Sequence, residues 1–253
     1  MPRAIKGFLF PVALVMAWEL SWHVHGFESL SRPYDVARAL ACGLLDGSVP
    51  RLTWQTMQAA LLGFLIASVL GILGGVPLGL ALGAERVVRP IIDLLRPVPS
   101  VALIPLAMLI YGFGVRMEAL IVAFACIWPV LILTIASVRG IEPSLIEVAR
   151  TLELSWSQRL RRIILPAALG RISVGLQLAL AISLVVAVTV EIVINPRGLG
   201  YGMMSAQQSL RFDVMYALLI WTGLVGWLLS WAGYELVRRC SPGRKIKQPE
   251  AQA

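Results

Sequence analysis

GFLIASVLGILGGVPLGLALG, residues 63–83, runs for 21 residues without a single charge and is broken only by small residues and one proline. A helix of about 20 mostly apolar residues spans the hydrocarbon core of a bilayer, so this stretch reads as a membrane span. The rest of the chain supports that reading. Of its 253 residues 58% are apolar and 14% charged, with a mean hydropathy of +0.81, whereas soluble domains carry roughly a quarter charged residues. So little polar surface cannot cover a water-facing exterior, and an ordinary soluble globule is excluded.

Working outward from 63–83, six spans emerge: near 7–24, 57–83, 100–114, 118–138, 172–194 and 215–237. The fold class is all-α and polytopic. The third span is short and interrupted by Pro105, so it is the candidate for a broken helix lining a pathway, because a freed carbonyl in a membrane must find a partner or face water. Pro97 and Pro99 read instead as a tight entry turn after Arg96. The glycines of the second span serve close helix packing. Arg3 and Lys6 ahead of the first apolar run could suggest a signal peptide, but no small-x-small site follows and an uncleaved span is expected.

Lys and Arg in short loops are retained on the cytoplasmic side. With the N-terminus inside, 16 of the 22 cations fall there, among them Arg86, Arg89 and Arg96, the six arginines of 139–171, and the basic C-terminal residues. Both termini are therefore expected in the cytoplasm, with a polar tail at 241–253. The net charge of +8 does not point to nucleic acid, since these cations sit between apolar spans and are not gathered on one face.

Residues 147–166, EVARTLELSWSQRLRRIILP, break the pattern with two Glu and four Arg. Val148, Leu152, Trp156, Leu160 and Ile163 recur at helical spacing, with Arg150, Arg159, Arg161 and Arg162 on the other side. Such a segment can lie among anionic headgroups or dock in a groove on a soluble partner. Ser155 and Gln158 have capping-box spacing, which marks a helix restarting after a turn near 152–154. The second helix is expected to end at Leu165-Pro166, where proline breaks or kinks the chain.

The ladder Glu147-x-Ala149, position 153, then nine residues to Ile163-x-Leu165-Pro166 resembles the EAA motif of ABC importer permeases. The likeness extends to 63–83, to RPVPSVALIPL (96–106), to Glu191 and to GLGYGM (198–203). It covers about residues 50–235 and is nearest the nitrate/sulfonate/taurine branch. The resemblance implies a type I importer permease (MetI-like) fold in one transmembrane domain. It implies coupling helices at 143–165 seated on cytoplasmic ATPase subunits, with Glu147, Ala149, Leu152, Glu153, Ser155, Arg159, Ile163, Leu165 and Pro166 as the docking set.

It further implies a second permease copy, an external periplasmic or lipid-anchored substrate-binding protein, a bacterial inner membrane, and ATP with Mg on the partner and no cofactor on this chain. The cargo it implies is a small anion such as a sulfonate, taurine or nitrate, although vitamin-precursor importers use similar permeases. Two positions depart from the family pattern: its turn glycine is Glu153 here, and its proline after LPAAL is Gly170. A Glu in a left-handed turn would cost about 1–2 kcal/mol.

The remaining chemistry is sparse. Glu191, near the outer end of the fifth span, is either a gate or subunit-interface residue or an interfacial carboxylate reaching water. Gly198-Leu199-Gly200 lacks the GKS/GKT of a phosphate loop and reads as a turn. His23 and His25 have no companions at metal spacing, and Cys42, Cys126 and Cys240 have no paired spacing. No P-loop, HExxH or GxSxG occurs, so no enzyme activity is expected. The competing reading is an ion-coupled secondary transporter or channel working without an ATPase.

Overall fold

The computed structural model describes residues 16–22, 31–81 and 83–240; among them there are helices and turns and no strand. Residues 16–22 are helical. There follow α1 (Pro33–Leu45), α2 (Ser48–Leu80), α3 (Ala84–Leu95), a 3-10 turn (Ser100–Leu103), α4 (Ile104–Tyr111), α5 (Val115–Arg139), α6 (Pro143–Thr151), α7 (Trp156–Arg159), a π-turn (Leu160–Ile164), α8 (Leu165–Val193), α9 (Gly198–Gln208) and α10 (Phe212–Cys240). With no water in a bilayer core, each backbone N–H and C=O must be satisfied within its own segment, and uncharged runs therefore close into helices. Buried hydroxyls follow the same rule: Ser68 donates to the Phe64 carbonyl and Ser137 to the Leu133 carbonyl, at 2.7 and 2.6 Å.

Four described helices are long and apolar enough to cross a membrane, and α3 with Ser100–Tyr111 forms a fifth, bent candidate. These correspond to the second to sixth predicted spans. The first, 7–24, lies mostly outside the described residues, as do His23, His25 and the tail 241–253. The third span differs from expectation. Its 3-10 turn and the eight residues of α4 reach roughly 20 Å, short of the about 30 Å core. The chain bends by 84° between α3 and this pair. Pro105 interrupts nothing: it occupies the first turn of α4, where a missing N–H costs no hydrogen bond. The break falls earlier, at Arg96–Pro99, where Val98 N–H reaches Leu95 C=O at 3.1 Å.

The chain divides into two compact units, Met1–Gln58 with Val188–Val225, and Ala59–Ala187 with Gly226–Ala253. In the second unit a glycine stripe sets helix direction. A side chain at Gly63, Gly71, Gly75 or Gly79 would collide with Val122, Val130, Thr134 or Val138 respectively, each pair 59 residues apart. A constant offset means that α2 and α5 run parallel and in register. The chain between them must therefore return, which is what the bent pair does. In contrast α8 runs antiparallel to α5: Cys126 Sγ donates to Ala179 C=O at 3.2 Å, while Val138 and Ile141 meet Ile164, Ala168 and Ile172. The central layer is built from Ala60, Ala67, Val122, Cys126, Val130, Ala179 and Ala187. Small residues let backbones approach where lipid supplies no hydrophobic drive.

These directions bring the C-terminal ends of α2 and α5 and the N-terminal end of α8 to one end of the unit. That end carries Arg139 and Arg171 and the basic segment between them. Of the cation sets inferred from the sequence, the one at 139–171 is thereby gathered at one end of this unit.

Candidate functional site

The segment 143–166 is an elbow rooted in the second unit. Helix α6 ends in a Schellman turn, with Leu154 N–H donating to Ala149 C=O at 3.1 Å and Glu153 in the left-handed region at φ 49°. The glycine position of the family pattern is thus left-handed here, and Glu153 bears the strain. Two residues on, the capping box forms: Ser155 N–H donates to Gln158 Oε1 at 3.0 Å and Gln158 N–H to Ser155 Oγ at 3.4 Å. Two helices meeting at a turn near 152–154 are therefore observed.

The expected break at Pro166 is absent. The Leu165 N–H bonds the Leu160 carbonyl across the π-turn, and Pro166 is the second residue of a continuous α8. A widened turn makes room for the proline ring, which would otherwise press on the carbonyl four residues back. The elbow consequently passes without interruption into a membrane helix.

Within the elbow Ala149 is fully buried, and Leu160 and Ile164 pack on Val138 and Ile141. Ile163, Leu165 and Arg159 are half-buried, and Glu147, Ser155 and Pro166 are exposed. Leu152 and Trp156 are 62% and 60% exposed. The predicted stripe is thus split: Leu160 anchors, Leu152 and Trp156 are uncovered, and the Val148 side chain lies outside what the structure describes.

The first unit holds a different arrangement. Glu191, on α8, is 1% exposed, so it does not reach water as an interfacial carboxylate would. Its Oε2 accepts the Gly200 N–H at 2.8 Å and the Thr56 hydroxyl at 3.0 Å. Leu199 N–H donates to Thr56 Oγ1 at 2.8 Å, Gly198 N–H to Gln55 Oε1 at 3.0 Å, and Arg197 Nη2 to Gln58 Oε1 at 3.3 Å.

Gly198-Leu199-Gly200 is therefore the first turn of α9, not the free-standing turn expected. Its orphan N–H groups are satisfied by α2 and by a carboxylate placed at the positive end of the helix dipole. Gly198 stands at φ 84°, and a Cβ there would overlap the Glu191 carboxylate. A glycine is thus required both by conformation and by space. Sequence reasoning found Glu191 and the glycines but missed Gln55, Thr56 and Gln58; the only signal was their polar spacing ahead of an apolar run.

Beside this latch a cleft of about 870 Å³ opens between α1, the start of α2, α9 and α10, with Asp35, Arg38, Asp46, Tyr201, Arg211 and Asp213 on its walls. Asp46 caps α2: its Oδ1 accepts the Ser48 N–H at 2.8 Å, and the hydrogen bonds from Ser48 hold its carboxyl below the usual range. Among the described residues no His/Cys/Asp/Glu group could hold a metal ion.

Parallel and antiparallel apolar helices with a bent span define a multi-pass membrane protein, and its likeness to known proteins places it among transport permeases. The chain belongs to the family of the binding-protein-dependent transport system inner membrane component, whose family model matches residues 67–245. It is 33% identical over 204 residues to the taurine transport system permease protein of Escherichia coli, covering 79% of this chain and 73% of that one. A Bacillus subtilis protein with the provisional name of aliphatic sulfonates transport permease is 32% identical over 224 residues, 88% and 81% of the two chains. A chain of the inward-facing MetNI methionine ABC transporter superposes with a TM-score of 0.65 at 21% identity, covering 74% of this chain and 93% of its own. The fold is that of the type I importer permease (MetI-like).

Proposed function

We propose that this chain forms the translocation pathway of an ATP-driven importer in the bacterial inner membrane, pairing with a second copy. The 143–165 elbow seats on a cytoplasmic ATPase subunit, which binds ATP and Mg; this chain holds no cofactor. An external binding protein delivers a small anion, a sulfonate or a related oxyanion, as the names of the relatives suggest. Both termini lie in the cytoplasm, on the side where the positive-inside rule puts the arginine-rich ends. Pro105 and Glu191 are the gate candidates; Pro105 is exposed at the start of α4, and Glu191 latches α9.

The observation that carries this reading is the elbow's construction. It exposes Leu152 and Trp156 while Leu160 and Ile164 fasten it to α5 and α8 and Ala149 is buried within it. A push on the exposed pair is passed through the π-turn into α8 as a rigid-body motion. In the cycle we infer, ATP binding closes the ATPase pair, the elbows move with it, the pathway turns outward to receive substrate, and hydrolysis resets the inward-facing state.

Co-purification tests it. The chain should retain its ATPase subunit, and Glu147→Ala with Leu152→Ala should lose it while the permease still elutes as a folded species. Solute uptake by vesicles holding the permease alone would sink the proposal, as would an elbow labelled from outside in intact cells.

A further inference from the structure

We propose that α3 is an interfacial helix that binds the anionic headgroups of the adjacent lipid leaflet. Helix α3 lies at 84° to the Ser100–Tyr111 pair. That pair turns back through Gly112 and Gly114 into α5, a 25-residue span. The α4 arm packs back along α5 without itself spanning the core, so α3, set across that arm, lies along the membrane plane. It also lies at the end of the unit that carries the elbow, because Val88 and Ile92 pack against Leu131 and Ile135 near the C-terminal end of α5.

Only half of its apolar face is used by that packing. Val87, Ile91 and Leu94 form a second stripe at helical spacing, and Val87 and Leu94 are 73% and 72% exposed. A stripe of this kind, next to protein on one flank and uncovered on the other, suits the boundary between acyl chains and headgroups. Arg86, Arg89 and Arg96 are all exposed along the polar side. Against them the segment sets Glu85 and Asp93, with Asp93 only 3.9 Å from Arg89 in an exposed pair. Exposed pairs are weakly held, so Arg89 is free to exchange its partner for a lipid phosphate. The chemistry selects a headgroup over a soluble protein: an uncovered apolar stripe and a row of exposed arginines lie side by side on one short helix, which matches the boundary between acyl chains and phosphates.

The full chain, with Cys42→Ser and Cys240→Ser and with Cys126 left in its buried site, is placed in nanodiscs of phosphatidylcholine with or without phosphatidylglycerol. A bimane fluorophore is attached at Val87→Cys, Leu94→Cys or Asp93→Cys. Positions 87 and 94 should be quenched by doxyl-labelled lipid and shielded from aqueous iodide, with the reverse at 93. Iodide quenching at 87 and 94, relieved only when an ATPase subunit is added, would assign the face to that protein and overturn the proposal.

A second arm measures the association of spin-labelled phosphatidylglycerol relative to phosphatidylcholine. Arg86→Gln or Arg96→Gln should lower the ratio by about fivefold each, and Asp93→Asn should raise it. An unchanged ratio in all three would refute the anionic preference. The quenching arm keeps every arginine, so it stands even if a charge variant fails to fold. Neither arm depends on transport, so the importer reading can fail while this one survives.

Discussion

Glu191 Oε2 accepts the backbone N–H of Gly200 at 2.8 Å, nine residues along the chain, while the Thr56 hydroxyl donates to the same oxygen from 135 residues away. One carboxylate thereby closes the first turn of α9 onto α8 and ties both to α2. The three groups are buried, so none can turn to water if the carboxylate is lost.

Replacing Glu191 with Ala leaves the buried Gly200 N–H without its acceptor, which costs about 1–3 kcal/mol, while the Thr56 hydroxyl can turn to the Leu52 carbonyl at 3.3 Å. Glu191→Gln keeps a carbonyl acceptor and should lose less. Thermal unfolding of the purified chain in detergent, followed by tryptophan fluorescence, should rank wild type above Gln above Ala. Equal midpoints for all three would show that the latch carries no stability.

Gly198 and Gly47 both have positive φ, 84° and 77°, but a Cβ at Gly47 meets open space and one at Gly198 meets the Glu191 carboxylate. Gly47→Ala should cost about 1 kcal/mol from backbone strain alone. Gly198→Ala should cost clearly more and should displace α9. Protease sensitivity of residues 195–210 distinguishes them, and similar digestion of both variants would count against the packing argument.

Glu153 holds a left-handed conformation without the freedom of glycine. Glu153→Gly should stabilise the elbow by about 0.5–1 kcal/mol, and Ser155→Ala should destabilise it by about 1 kcal/mol through loss of the cap. Hydrogen exchange at the Leu154 and Gln158 amides reports both: slower exchange at Leu154 in the first variant and faster at Gln158 in the second. Opposite signs would mean that the turn is set by something other than these two residues.

Gly75 faces the Thr134 side chain across the α2–α5 seam. Gly75→Val pushes the two helices apart and, as an overpacked core, should cost about 1–3 kcal/mol. Gly83→Val, where a Cβ meets nothing within 4 Å, is the matched control. Yield of monodisperse protein after detergent extraction should drop for the first and hold for the second.

The sequence by itself determined the membrane class, the second to sixth spans, the grouping of charge about 139–171, and the elbow's two helices with their cap. These rest on local quantities, uncharged length, charge placement and three-residue spacing, which a chain carries with it whatever its neighbours do. Only the tertiary structure decided that Pro166 and Pro105 break nothing, that the break lies at 96–99, and that Gly198–Gly200 opens a helix closed by Glu191, Thr56 and Gln55. Each of those depends on which distant backbone groups come within hydrogen-bonding reach, or on how a helix widens to admit a ring, and neither is written in the spacing of residues along one segment.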